Sequence, residues 1–343
     1  MPASNPSGEL PAIPVIECGP GFAMATLVAQ EARAHALMDM ATRYVPRAAL
    51  RGLDAVSRRW LERHGNAHLD EIDAIARKLA RPGAYFLSVN YEWGCTVAVG
   101  PSPDGRSARL LRTLDWSTPE LGRNVIAANV AGAAGPFVSL TWPGYTGVLQ
   151  AMAPGRFSAA LNQAPMRRLG GGVFALDWAV NRARVWRMPH QTASHLLRMV
   201  MEQARDFRDA RAILIREPIA APATFSLAGL APGDTCVIER TEDGAHVIDG
   251  KACATNHWQG LDHGAHPRGF DSPGRLAAIG CLAELDFDPA FPWLKPPVLN
   301  DVTRIAMVAD AASGRLIAQG YEDARPATRT LEWSMAAAAS AEA

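Results

Sequence analysis

The residues best suited to chemistry stand in two short runs, Gly94-Cys95-Thr96-Val97-Ala98-Val99 and Leu111-Arg112-Thr113-Leu114-Asp115-Trp116. A cysteine that opens a strand after a small residue becomes a chain terminus if the Gly94–Cys95 bond is cut. Its new α-amino group then serves as general base for its own thiol. Reference pKa values are about 7.7–8.0 for that amine and about 8.5 for a free thiol, so near neutrality one group can deprotonate the other. Arg112 and Asp115 add a cation and an anion on the next strand. Three residues apart, they face opposite sides of a regular strand, so a turn or bulge near Thr113 is expected to bring both to Cys95.

Two regimes of sequence must position these residues. Residues 21–80 are rich in Ala, Leu, Arg and Glu and are helix-periodic, with Leu27, Val28, Ala34, Leu37 and Met38 as one apolar face. Pro46 starts a second helical stretch along Leu50, Leu53, Val56 and Trp60. A third, around Ile72, Ile75 and Leu79, ends at Pro82-Gly83. Short β-branched or aromatic runs then predict strands at 84–89, 95–99, 108–114, 124–130 and 137–141, and later at 304–308 and 315–319. Helices are expected at 190–207 and from Ser272, as N-cap, to 285. Strands and helices in separate runs indicate an α+β fold.

Composition bounds the partners. Apolar residues make up 48% and charged residues 20%, an ordinary globular balance, and 34 basic residues offset 34 acidic ones. No net field favours nucleic acid. No run approaches the roughly 18 apolar residues of a membrane span, and no secretory signal is evident. Cys18, Cys95, Cys236, Cys253 and Cys281 are odd in number and scattered, which points to a reduced, cytoplasmic protein. Gly170-Gly171-Gly172 lacks the lysine and helix start of a phosphate loop, so no nucleotide cofactor is expected.

The two runs, with others downstream, resemble the acid ceramidase and N-acylethanolamine acid amidase branch of the choloylglycine-hydrolase-like superfamily. Tyr91-Glu92 matches an aromatic-Glu pair before the family's Cys-Thr, and Arg112-Thr113-Leu114-Asp115 resembles its Arg-Asn-(Leu/Met)-Asp segment. Thr255-Asn256-His257-Trp258 looks like a shortened Thr-Asn-Tyr-Asp-His-Trp motif, and Asp271-Ser272-Pro273-Gly274-Arg275 like its Asp-rich turn into a helix. The resemblance implies a four-layer αββα sandwich, with residues 1–94 as a helical segment and 95–343 as the catalytic segment. It implies Cys95 as nucleophile for cutting both its own Gly94–Cys95 bond and a linear amide, without a cofactor. Arg112 would orient the nucleophile or the substrate carbonyl, Asp115 bind the new amine, and Asn256 donate to the oxyanion. Arg275 would support the charge network, with Asn162 and Glu92 as oxyanion or processing support. The implied partner is a small N-acyl amide.

Rival readings are specific. Cys95 can be a buried packing residue, Arg112 and Asp115 a surface ion pair, and Asn162 and Asn256 turn formers. Cys253, His257, His263 and His266 offer a ligand count suited to zinc, though on a glycine-containing loop, and so an alternative metal-dependent hydrolase. A non-processing binding protein of the same fold is the third reading. The stripes within 21–80 are expected to pack on the catalytic core, with membrane contact as their alternative.

Overall fold

The computed structural model describes residues 9–89, 93–261, 263–282 and 284–335. In chain order the elements begin with β1 (Val15–Cys18), α1 (Phe22–Ala29), α2 (Glu31–Thr42), α3 (Arg47–Arg63), α4 (Leu69–Leu79) and α5 (Ala84–Ser88). Seven strands follow, β2 (Gly94–Pro101), β3 (Ala108–Asp115), β4 (Ile126–Gly132), β5 (Gly135–Thr141), β6 (Gln150–Ala153), β7 (Phe157–Gln163) and β8 (Met166–Arg167). Next come α6 (Phe174–Arg187), α7 (Ala193–Gln203) and α8 (Phe207–Arg216), then β9 (Ala223–Ala228), β10 (Thr235–Arg240), β11 (Ala245–Asp249), β12 (Ala252–Ala254) and β13 (Ala265–His266). The chain closes with α9 (Ser272–Gly280), β14 (Thr303–Asp310), β15 (Arg315–Glu322), β16 (Arg325–Pro326) and β17 (Leu331–Ser334).

Two large sheets face each other. One runs β1-β4-β5-β6-β7-β9-β10-β11, the other β12-β2-β3-β14-β15-β16 with β17 also on β15. Alternation along the strands sorts side chains between two cores. Cys95, Val97, Val99, Leu110 and Leu114 of β2 and β3 point into the space between the sheets, against Leu161 and Phe225. Ala98 and Leu111 point outward, against Ile279 of α9 and the segment carrying Phe291, Trp293 and Val298. Leu196, Leu197 and Val200 of α7 and Leu214 of α8 cover the eight-stranded sheet. The result is an α+β sandwich.

Several elements differ from expectation. Residues 84–89 read as strand but 84–88 form α5, because Asp54 of α3 accepts from the Gly83 and Phe86 amides at 2.6 and 2.9 Å. A cap supplied from 30 residues away has no local signature. The helix expected at 190–207 is the shorter α7, 193–203, and an unexpected helix α8 follows, which Asp206 caps by accepting from Asp209 N–H. The sequence gives no sign of α6 because its apolar residues form no buried stripe: Phe174, Leu176 and Trp178 are exposed and Asp177 is the buried one. Asp271, not Ser272, caps α9, accepting from Gly274 N–H at 3.0 Å.

Residues 1–94 are not purely helical, for β1 pairs in parallel with β4 at the edge of the larger sheet. The stripes of residues 21–80 face inward: Leu27, Leu37, Met38, Leu50, Trp60, Ile72, Ile75 and Leu79 are all buried. Val28 and Val56 depart from that pattern and are exposed. Among the described residues no helix is long and apolar enough to cross a membrane.

Candidate active site

The start of β2 gathers the residues singled out from the sequence, and it does so from both faces of one sheet. In the β2–β3 ladder Gly94 pairs with Asp115, Cys95 with Leu114, Thr96 with Thr113 and Val97 with Arg112. Directly paired residues share a face, so Cys95 and Arg112 lie on the inner side while Gly94, Thr96 and Asp115 lie on the outer side. The expected bulge at Thr113 is absent: this ladder is regular throughout. The irregularity falls instead on β14, between Thr303 and Ile305, opposite the end of β3.

On the inner face Arg112 Nη2 donates to Cys95 Sγ at 2.9 Å and to the Leu161 carbonyl at 2.9 Å. Its Nη1 donates to the Leu149 carbonyl. Sheet alternation thus puts the guanidinium beside sulfur, and carbonyls of the facing sheet hold it there. On the outer face Arg275, near the start of α9, donates to the Cys95 carbonyl, to Thr96 Oγ1 at 2.9 Å and to Asn256 Oδ1 at 2.9 Å. It lies 3.4 Å from Asp115 Oδ2. Asp115 also accepts from Thr303 Oγ1 at 3.0 Å and Asn300 Nδ2 at 3.3 Å.

Asn256 joins these partners. Its Oδ1 accepts the Cys95 backbone N–H at 2.8 Å, and its Nδ2 donates to the Gln163 carbonyl at 2.8 Å. Two donors at one end and a carbonyl at the other fix the amide orientation. Because Asp271 caps α9, the Ser272 hydroxyl is free to accept the Asn256 backbone N–H at 2.9 Å. Gln163 Oε1 in turn accepts the Trp93 N–H at 2.9 Å, so the residues on either side of Gly94 are both held through their amides. Gln163, Asn300 and Thr303 are site residues that sequence reading misses, and Ser272, expected as a helix cap, serves Asn256 instead. They are ordinary polar residues in elements far along the chain.

Cys95, Arg112, Asp115, Asn256 and Arg275 are each at most 1% exposed. Burial pushes the Cys95 thiol up to about 11, against the opposing pull of Arg112 and Arg275. Burial also raises the Asp115 carboxyl, opposed chiefly by Arg275. Near neutrality the uncut chain therefore holds Cys95 as a protonated thiol with cations ready to stabilise its thiolate.

The other expected residues fall elsewhere. Asn162 Nδ2 donates to the Ala254 and Thr255 carbonyls at 3.2 and 3.3 Å, so this side chain braces the segment leading to Asn256. Glu92 lies outside the described residues. The possible metal ligands disperse: His257 Nδ1 meets Ser272 Oγ at 2.8 Å, and His266 Nε2 meets Asp177 Oδ2 at 2.8 Å. No metal-binding group of three or more such ligands forms among the described residues.

Gly94 sits in regular strand without the positive φ of a strained turn. Space is what requires glycine there: a Cβ would come within 3.3 Å of Asp115 Cβ and 3.4 Å of Gly269 Cα. Gly94→Ala is expected to destabilise the fold by about 1–2 kcal/mol through overpacking. Gly52→Ala, in open space within α3, should stabilise it by about 0.5–1 kcal/mol. Paired chemical denaturation of the two variants checks the opposite signs.

Two apolar clefts flank the site. One is lined by Trp93, Leu161, Gln163, Ser194 and Ala220. The other lies between the N-terminal helices and the sandwich, lined by Leu37, Met38, Leu79, Leu121, Trp142 and Tyr145. Trp93 and Trp116, with ring centroids 5.4 Å apart, form part of the wall between them.

No family model matches the chain. Human acid ceramidase is 28% identical over 190 residues, covering 52% of this chain and 46% of that protein. The Bos taurus acid ceramidase is 32% identical over 191 residues, with the same coverage. The chain spans about half the length of the curated relatives it matches. In three dimensions it is similar to the Caenorhabditis elegans N-acylethanolamine-hydrolyzing acid amidase ortholog, at a TM-score of 0.50 and 21% identity, over 64% of this chain and 93% of that one. The chain is thus similar to acid ceramidases over about half of its length and to that amidase ortholog in fold. Its α+β sandwich has the fold of the N-terminal-nucleophile hydrolases, with Cys95 the second residue of β2.

Proposed function

We propose that the chain is a self-processing cysteine amidase that cuts the linear C–N bond of an N-acyl amine or N-acyl amino-acid-like compound. The observation that carries this reading is the two-sided grip on Cys95. Arg112 holds its sulfur on one face, while Asn256 and Arg275 hold its N–H and carbonyl on the other.

In the first step Cys95 sulfur attacks the Gly94 carbonyl. The peptide C–N bond breaks, the thiol proton passes to the departing Cys95 nitrogen, and Gly94 is left as a thioester. Water then releases the Gly94 carboxylate, and the new α-amine stands beside Asp115 and Asn256. In turnover that amine takes the thiol proton as sulfur attacks the substrate carbonyl, and gives it to the departing amine. Water hydrolyses the resulting acyl-thioester to free acid. Donors aimed at the developing oxyanion carry much of the rate, and loss of one typically costs about 10²–10³. The second Asn256 Nδ2 hydrogen, not needed by Gln163, is a candidate for that contact. The acyl chain lies in the cleft between the N-terminal helices and the sandwich, so both segments stay associated after cleavage.

The test is a panel of N-acyl amides of graded chain length, with acid and amine release followed by mass spectrometry. Release that chelators do not affect is expected. A processed protein that releases nothing across the panel contradicts the reading.

A further inference from the structure

On the self-cleaving reading, the first acyl group that Cys95 attacks belongs to the chain's own Trp93-Gly94. Contacts to those two residues therefore describe the place that a later acyl group takes. The first contact concerns the carbon beside the attacked carbonyl. A Cβ on Gly94 would come within 3.3 Å of Asp115 Cβ and 3.4 Å of Gly269 Cα. Gly269 gives no slack, since its φ is 69° and a Cβ on it would lie 2.9 Å from Arg275 Nη2. That carbon is confined to an unbranched CH2.

The second contact comes from Gln163. Leu161 and Gln163 stand two apart at the end of β7 and share a face. The Leu161 carbonyl accepts from Arg112 at 2.9 Å and the Gln163 carbonyl from Asn256 at 2.8 Å, so this backbone is tied to both groups that grip Cys95. From it the Gln163 side chain reaches the residue before Gly94, and its Oε1 accepts the Trp93 N–H at 2.9 Å. Trp93 Nε1 is buried without a hydrogen-bond partner, and the indole packs on Trp116 with centroids 5.4 Å apart. What Gln163 reads is thus the amide of that residue and not its side chain. Gln163 Nε2 is also buried without a partner, and the residue lines one apolar cleft together with Trp93 and Leu161.

We propose that Gln163 is a specificity-determining residue that accepts from a secondary amide in the acyl part of the substrate. This deepens the amidase reading and rests on it. Cutting the Gly94–Cys95 bond turns the Trp93-Gly94 end into a product, and its departure takes the donor from Gln163 Oε1. A buried acceptor without a donor is disfavoured, so the emptied place selects an acyl group that restores the N–H. The acyl part is accordingly a short peptide-like chain that ends in glycine or an unbranched equivalent. Its CH2 takes the place of Gly94, and the N–H of the preceding unit takes that of Trp93.

The test gives the processed wild-type chain three p-nitroanilides: acetyl-Trp-Gly, its counterpart with an ester oxygen in place of the Trp N–H, and acetyl-Trp-Ala. The expected kcat/KM for the first exceeds that for each of the others by about tenfold or more. In Gln163→Met the amide-to-ester ratio should fall to about one, whereas a purely structural role lowers both rates and leaves their ratio unchanged. If the Met variant does not fold or process, the wild-type ratio alone decides. Equal rates on amide and ester, equal rates on the glycine and alanine compounds, or an unchanged ratio in Gln163→Met overturns the proposal. Calorimetry with free acetyl-Trp-Gly and its ester counterpart keeps the two readings apart. Tighter binding of the amide with no hydrolysis of any compound overturns only the amidase reading. Hydrolysis of plain alkanoyl anilides without these preferences overturns only this inference, and neither hydrolysis nor binding overturns both.

Discussion

Cys95→Ala is expected to yield one uncut, folded chain with no amide hydrolysis at all. The thiol is the nucleophile proposed for both the Gly94 carbonyl and a substrate, so its removal should abolish both reactions. The fold should survive because little else depends on the sulfur. Arg112 keeps the Leu149 and Leu161 carbonyls, Asn256 keeps the Cys95 backbone N–H, and Arg275 keeps the Cys95 carbonyl. The lost packing of one sulfur atom costs about 1 kcal/mol. Intact mass, thermal melting and an amide-release assay on the same preparation check all three statements.

Asp115→Asn is expected to slow self-cleavage by about 100-fold or more and to destabilise the fold as well. Asp115 is a buried anion 3.4 Å from the buried Arg275, whose guanidinium also spans the Cys95 carbonyl and Asn256. Breaking a buried ion pair by removing one charge costs about 3–5 kcal/mol. Arg275 keeps five oxygen acceptors, at Cys95, Thr96, Asn256, Phe270 and Arg268, which argues for the lower end. The amine freed from Gly94 also loses the carboxylate proposed to stabilise its charge. Thr303→Val separates the two effects, since it removes one hydrogen bond to Asp115 but keeps the charge. It should slow cleavage only several-fold. Time courses of fragment appearance, read beside denaturation curves, test the pair, and an Asp115→Asn chain that processes at the wild-type rate contradicts the assigned role.

The spacing of Cys95, Arg112 and Asp115 was legible in the sequence because one hairpin carries all three. How they meet was not. Local periodicity says that Arg112 and Asp115 face opposite ways, and they do. What it leaves out is that both faces of β2 are buried, one by the other sheet and one by α9, so opposite faces can serve one residue. Asn256 and Arg275 lay within motifs, whereas Gln163 carried no signal and Ser272 read only as a helix cap. Their importance comes from tertiary contacts across 93 and 16 residues of sequence. The misread helix α5 has the same cause, since its cap comes from Asp54. Asn162, which resembles an oxyanion-supporting residue, has its side-chain amide tied to the Ala254 and Thr255 carbonyls across the sandwich, a contact that local sequence does not announce.

The central claim, that Cys95 becomes a chain terminus and then the nucleophile, is tested most directly by intact mass and N-terminal sequencing of the wild type. Samples incubated from pH 4 to 8 should show fragments of 94 and 249 residues from this 343-residue chain, the longer one beginning at Cys95. Amide release should rise with the fraction cleaved. A wild type that hydrolyses amides while remaining full length at every pH would contradict the account.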